Sequence, residues 1–190
     1  MKKIASFVAL AGLAVCAHAD DFVNGSFETG DFTGWDVTQA ASGSFLWDYS
    51  NPAGFTPTDG TWVAYFGDVS QQYDTISQTL ATDAGRHYTL SFDLSNIGAT
   101  TQWQSFQVKW DGAFLFNGPA PDSNNSVMHH FSYDVVGTGS DTASFAGYAF
   151  WAGTGLDDVK LTAAAPVPEP ASILAISGGL LAFLRRRKAK

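Results

Sequence analysis

An all-β sandwich is the fold class this sequence predicts, and three observations carry the prediction. Apolar and polar residues alternate with a period of two in a succession of short runs. Clusters of Gly, Pro, Asn and Asp separate these runs at roughly ten-residue spacing, the punctuation of a sandwich. No stretch between Asp20 and Ala165 carries a helical apolar period, and no internal repeat is present.

Taken in order, the chain opens at Met1–Ala19 with the three regions of a secretory signal peptide. Lys2 and Lys3 precede an apolar core from Ile4 to Val15, and Ala17-His18-Ala19 is a small-x-small cleavage site ahead of Asp20. The alternative is a lipoprotein signal using Cys16, against which Val15 is bulky. Cleavage before Asp20 discards the only cysteine of the chain, so the exported body carries no disulfide although export would permit one.

The body that follows has 146 residues to Ala165, enough for one domain with a real core. The predicted strands are Thr61–Phe66, Ile76–Leu80, His87–Ser95, Gln104–Asp111, Val127–Val135, Ala143–Phe150 and Leu156–Leu161. Phe106, Val108 and Trp110 fall on one face of theirs, and His129, Phe131, Tyr133 and Val135 on one face of theirs. Asn51-Pro52, Thr58-Asp59-Gly60, Asp83-Ala84-Gly85, Asn117-Gly118-Pro119 and Gly137-Thr138-Gly139 supply the turns. The domain is placed at 20–162, with a linker and proline-rich tag over 163–170. This body holds 17 acidic side chains against Arg86, Lys109 and Lys160, a balance near −14. Such a surface repels phosphate backbones and excludes nucleic acid as a partner. It suits solubility outside the cell, with divalent cations as the sharper alternative.

The last 25 residues change character. Pro168-Glu169-Pro170 leads into an apolar segment, 171–184, and a basic tail, 185–190, that opens with Arg185, Arg186 and Arg187. A tag, an apolar run and cations in succession form a membrane-arrest signal, with the cations held on the cytoplasmic side. The 14 residues of this segment span about 21 Å as a helix against a hydrocarbon core of about 30 Å, short for a permanent anchor. Gly178-Gly179 lowers its helix propensity further. This ending resembles the PEP-CTERM sorting signal of Gram-negative bacteria. The resemblance implies recognition and removal of the tail by an exosortase, a membrane-embedded cysteine transpeptidase-like enzyme. An ordinary single-span anchor is the alternative.

The body also carries a resemblance. Asn24-Gly25-Ser26-Phe27-Glu28 with Gly34-Trp35 at its start, and Leu156-Asp157-Asp158-Val159-Lys160-Leu161 at its end, resemble the jelly-roll carbohydrate-binding modules and galactose-binding-like domains. The resemblance implies a structural calcium tying the first strand to the last through Glu28 and Asp157, with Asp158 contributing at most a backbone carbonyl. Counting by twos from Val159 and Leu161 turns the Asp157 carboxylate inward, where it needs a cation or hydrogen-bond donors. Capping of backbone amides by the same carboxylates is the alternative.

For a ligand, the six tryptophans are the first place to look, since aromatic faces stack on sugar rings. Trp35 and Trp110 are expected to pack in the core. Trp47 with Tyr49, beside a Pro/Gly-rich loop, and Trp103 with Gln104, at the end of a polar one, offer stacking surface with an amide. No catalytic constellation emerges: there is no G-x-S-x-G or H-E-x-x-H, and Glu28 and Glu169 are the only glutamates. Neighbouring His129 and His130 point to opposite faces of a strand, which predicts one core and one surface histidine rather than a metal pair. Asp93, Asp111 and Asp134 read as solvated. The sequence therefore predicts an exported, non-enzymatic jelly-roll β-sandwich that binds glycan in an extracellular polysaccharide matrix. A purely structural biofilm or surface protein, or more distantly a glycan hydrolase, are the alternatives.

Overall fold

The computed structural model describes residues 22–39, 45–48, 56–67, 71–98, 104–121, 127–150 and 153–165. Ten strands form: β1 (Asp36–Thr38), β2 (Phe45–Asp48), β3 (Trp62–Phe66), β4 (Asp74–Ala81), β5 (His87–Ile97), β6 (Gln104–Trp110), β7 (Ala113–Gly118), β8 (His129–Val136), β9 (Ser140–Ala149) and β10 (Gly153–Ala163). They make two five-stranded sheets, in the orders β1-β4-β9-β6-β7 (sheet A) and β2-β3-β10-β5-β8 (sheet B). Every pairing is antiparallel. The all-β sandwich expected from the alternation is the observed one, and all seven predicted strands are present. Three more were not predicted: β1, β2 and β7, the last running through the Asn117-Gly118 pair read as a turn.

Alternation explains the layers. Tyr88, Leu90, Phe92 and Leu94 of β5 and Phe106, Val108 and Trp110 of β6 point between the sheets and are buried. Phe145 of β9 joins them, meeting Phe92 edge-on with ring centroids 5.4 Å apart. Phe131 and Tyr133 of β8 stack on Phe92 from the open side of the sandwich. His129 departs from the expectation: it and His130 are both exposed, so β8 carries no core histidine.

The two terminal signatures prove to be halves of one contact. The 22–35 segment folds as turns that drop Phe22, Phe27 and Trp35 into one end of the core. The Trp35 indole stacks on Phe22 at 5.4 Å and on Phe27 at 5.5 Å, and its Nε1 donates to the Asn24 carbonyl. Phe27 holds φ +61, which costs a non-glycine residue roughly 1–2 kcal/mol; complete burial of its ring offsets that cost. Gly25 lies flat on β10: a Cβ there would stand 2.1 Å from the Val159 carbonyl oxygen. The Gly25 carbonyl in turn accepts the Val159 N–H at 3.0 Å.

On β10 the register breaks between Asp157 and Lys160, with Asp158 at φ +51. This β-bulge corrects the reading of Asp157. Leu156, before the bulge, and Val159 and Leu161, after it, all face the core. Asp157 pairs with Asp93 on the opposite, outer face. An extra residue reverses the side to which every later side chain points.

Candidate functional site

Asp157 is fully buried although it faces outward, because the 56–60 segment lies over it. Its Oδ2 accepts the N–H groups of Thr58 (2.7 Å) and Asp59 (3.0 Å), and its Oδ1 accepts that of Asp158 (2.7 Å). Burial pushes its pKa from 3.8 up to about 7, against the opposing pull of these amides. Glu28 reaches the same turn from the other side, its Oε1 accepting from the Thr61 and Trp62 N–H groups, each at 2.7 Å. Gly60, at φ +62 between the two carboxylates, has no room for a side chain: a Cβ would lie 2.0 Å from the Glu28 carboxyl carbon. Four amides of the 58–62 turn thus end on two carboxylates, one from each terminal signature. Asp158 is half-buried and pairs with Lys160 at 2.5 Å. A cavity of about 220 Å³ opens beside the bulge, with Asn24, Asp59 and Asp158 on its wall.

These are the hydrogen bonds of amide caps. Calcium was the other expectation for the same residues. Among the described residues no three His, Cys, Asp or Glu side chains gather as a metal site. One oxygen of Glu28 and both of Asp157 already accept N–H donors.

Two other acidic pairs have structural duties. Asp93, expected in solvent, is buried, with its Oδ1 2.7 Å from His130 Nδ1. Asp111 and Asp141 face each other across the β6–β7 turn and the start of β9. Asp111 Oδ1 accepts the Thr142 N–H at 2.8 Å; burial, then the neighbouring Asp141 charge, raises its pKa. For Asp141 burial pulls upward too, yet hydrogen bonds from the Thr82 hydroxyl, the Thr138 N–H and the Thr138 hydroxyl outweigh it and hold the group at about 2. Both carboxyls are committed to loop backbone or hydroxyl donors.

The outer faces of the two sheets differ. Sheet B is covered: Val63, Asp93, Ser95 and Asp157 are buried on its outer side. The Tyr65 ring lies across it so closely that a Cβ on Gly153 would stand 1.9 Å from a ring carbon. Sheet A is open. Its outer rows, read across the strands, are Thr75, Ala146, Gln107 and Asn117, then Ser77, Ser144, Lys109 and Phe114. All but Ala146 are half-buried or exposed. At one end Tyr148 meets Tyr73 edge-on at 5.1 Å, and the Tyr73 hydroxyl donates to Ser105 Oγ at 2.8 Å. At the other end the Lys109 ammonium sits 4.6 Å from the centroid of Phe114, which is 54% exposed. This face is a broad polar surface of hydroxyls and amides with aromatic rings at both ends.

Of the residues singled out for ligand contact, the structure places Gln104 inside. It is buried at the start of β6, with Nε2 donating to the Ala120 carbonyl. Trp47 lies on β2 in sheet B, in register with Val63, and its side chain, like Tyr49 and Trp103, lies outside the described residues. Trp47 and Gln104 therefore belong to different sheets. Trp35 and Trp110 are core residues, as expected. Tyr148, Gln107, Asn117, Lys109 and Phe114 carried no sequence signal, because polar residues on alternate positions mark the solvent side of any antiparallel strand. The sorting residues, Pro168, Glu169, Pro170 and Arg185 to Arg187, and the 171–184 segment lie outside the described residues.

Comparison with known proteins adds two findings. The PEP-CTERM protein-sorting motif matches residues 166–188. The chain thus ends in the signal that its tag, apolar run and arginines suggested, one that implies exosortase processing and marks an exported protein sorted at the cell envelope. No curated protein matches the chain by sequence. Among solved structures, the carbohydrate-binding module TmCBM61, determined with β-1,4-galactotriose, is similar with TM-score 0.58 and 15% identity, over 76% of this chain and 99% of that one. The K1 cleaved adhesin domain of Lys-gingipain from Porphyromonas gingivalis W83 is similar with TM-score 0.57 and 14% identity, over 78% and 100%. The CBM22-1 xylan-binding domain of Xyn10C from Paenibacillus barcinonensis follows with TM-score 0.51 and 10% identity, over 80% and 100%. At these identities the likeness is one of fold: the body is a sandwich of the carbohydrate-binding-module type.

Proposed function

We propose that the chain is an exported, non-catalytic glycan-binding protein of the cell surface or the extracellular polysaccharide matrix, and that its glycan lies across the outer face of sheet A. The observation that carries this reading is the union, in one chain, of a PEP-CTERM motif with a sandwich of the carbohydrate-binding-module type. The open face supports it chemically. Tyr148 and Phe114 offer ring surface to the apolar faces of sugars, and Gln107 and Asn117 offer amides that both donate to and accept from hydroxyls. A flat polar surface of this kind suits an extended polymer rather than a small ligand in a pocket. A non-catalytic reading is supported by the described carboxylates that are held by backbone amides, threonine hydroxyls, one histidine and the cations Arg86 and Lys160. Glu28 and Asp157 act as amide caps that fasten the 58–62 turn to the first turns and the last strand of the sandwich.

The test uses the full-length chain in non-ionic detergent, co-sedimented with the matrix polysaccharide of its own host. Saturable binding is expected. A folded chain that binds no fraction of that matrix would overturn the reading in favour of a structural surface protein without a specific ligand.

A further inference from the structure

The glycan-binding reading leaves the class of sugar open, and one side chain on the open face narrows it. Among the described residues there are three cations in a body of 17 acidic groups. Arg86 is paired with Asp83 at 3.1 Å and Lys160 with Asp158 at 2.5 Å. Lys109 forms no ion pair with a carboxylate among the described residues. The acid nearest in sequence, Asp111, is turned to the Thr142 N–H and to Asp141, away from the lysine's strand position. Lys109 sits instead at the Phe114 end of the outer face of sheet A, in register with Ser144 on β9 and Phe114 on β7, one row from Gln107 and Asn117. The ring of Phe114 holds the ammonium at the surface, where a cation–π contact is compatible with three N–H donors still aimed at solvent.

Resting on the reading above, we propose that this face takes an anionic polysaccharide, one bearing carboxylates of the uronate type, with Lys109 as the residue that reads the charge. A neutral glycan needs only the rings and amides. An ammonium left without a counter-ion among hydroxyls and amides supplies what a sugar carboxylate lacks on every other side of this acidic body. The surrounding acids do not cancel it: beyond about 8 Å their field is screened at physiological salt, while a direct N–H to carboxylate contact is not. The same net charge works as selection, because a polyanion is repelled everywhere except where this cation meets it.

The test compares polygalacturonate with its fully methyl-esterified form, which keeps the backbone and removes the charge, against the full-length chain and its Lys109→Gln variant by affinity electrophoresis. The native chain is expected to hold polygalacturonate more tightly, by about fivefold per lysine contact, the upper range for an exposed ion pair. Lys109→Gln should abolish that preference, and raised salt should erase it in the native chain. Equal binding of both forms, or a preference that survives Lys109→Gln, overturns the inference while leaving glycan binding intact. Failure to bind either form overturns the inference, while the glycan-binding reading stands or falls on the host-matrix co-sedimentation. A melting temperature of the variant equal to that of the native chain separates loss of charge from loss of fold.

Discussion

Asp157 provides the sharpest stability prediction, because its carboxyl is buried on the outer face of sheet B among N–H donors. Raising the group from 3.8 to about 7 corresponds by linkage to about 4 kcal/mol between its protonated and ionised extremes. The sign follows from the direction. A carboxyl whose pKa is higher in the folded state binds its proton more tightly there, so its contribution is fully present below 3.8 and is lost as pH rises through 7. Asp157→Asn removes the titration, keeps an oxygen for Thr58 and Asp59, and sets an NH2 against the Asp158 N–H, losing a bond worth about 1 kcal/mol. The variant should therefore be about 1 kcal/mol less stable than the native chain at pH 4 and about 3 kcal/mol more stable at pH 8. In a domain of this size that is a swing from roughly 3 °C below to roughly 10 °C above in Tm. Thermal melts of both proteins across pH 4–8, with chelator present, measure it, and the difference between the two cancels the other acids. A gap that does not change with pH, or a native chain more stable at pH 8, would refute the picture of a buried carboxylate held by amides alone.

Two further outcomes test the same turn. Gly60→Ala places a methyl group on the Glu28 carboxyl at a φ of +62; it should lower stability by about 2–3 kcal/mol, and Glu28→Ala by a similar amount through loss of two charge-assisted bonds, both read by denaturant melts. Since these carboxylates already accept backbone amides, chelator should leave the Tm of the native chain unchanged, and a fall on adding chelator that calcium reverses would install a cation in their place.

Much of the fold was legible because the main strands obey a period of two. The alternation over Gln104–Asp111 put Phe106, Val108 and Trp110 on one face, and all three are buried; Trp35 too is a core residue as expected. Edge strands were not legible: β1 is three exposed residues, and β7 carries a bulge and ends on Asn117-Gly118. Asp157 shows where counting fails. The step of two is valid only in an unbroken strand, and one residue at φ +51 reversed the face. The burial of Asp93 was invisible for another reason, since the His130 ring that meets it belongs to β8, a strand remote in sequence that only the sheet order brings alongside. The open face was unreadable too: Gln107, Ser144, Asn117 and Tyr148 come from three strands, and only the order β9-β6-β7 assembles them.

The central claim is that the outer face of sheet A is the glycan surface, and the most direct measurement is binding of host matrix polysaccharide by the full-length Tyr148→Ala and Gln107→Ala variants. Both side chains lie on the open side, outside the core, so both variants should melt like the native chain. The account predicts that each loses most of its affinity, on the order of tenfold for an aromatic or amide contact of about 1.4 kcal/mol. Native affinity in both, with the fold intact, would contradict it and move the site off this face.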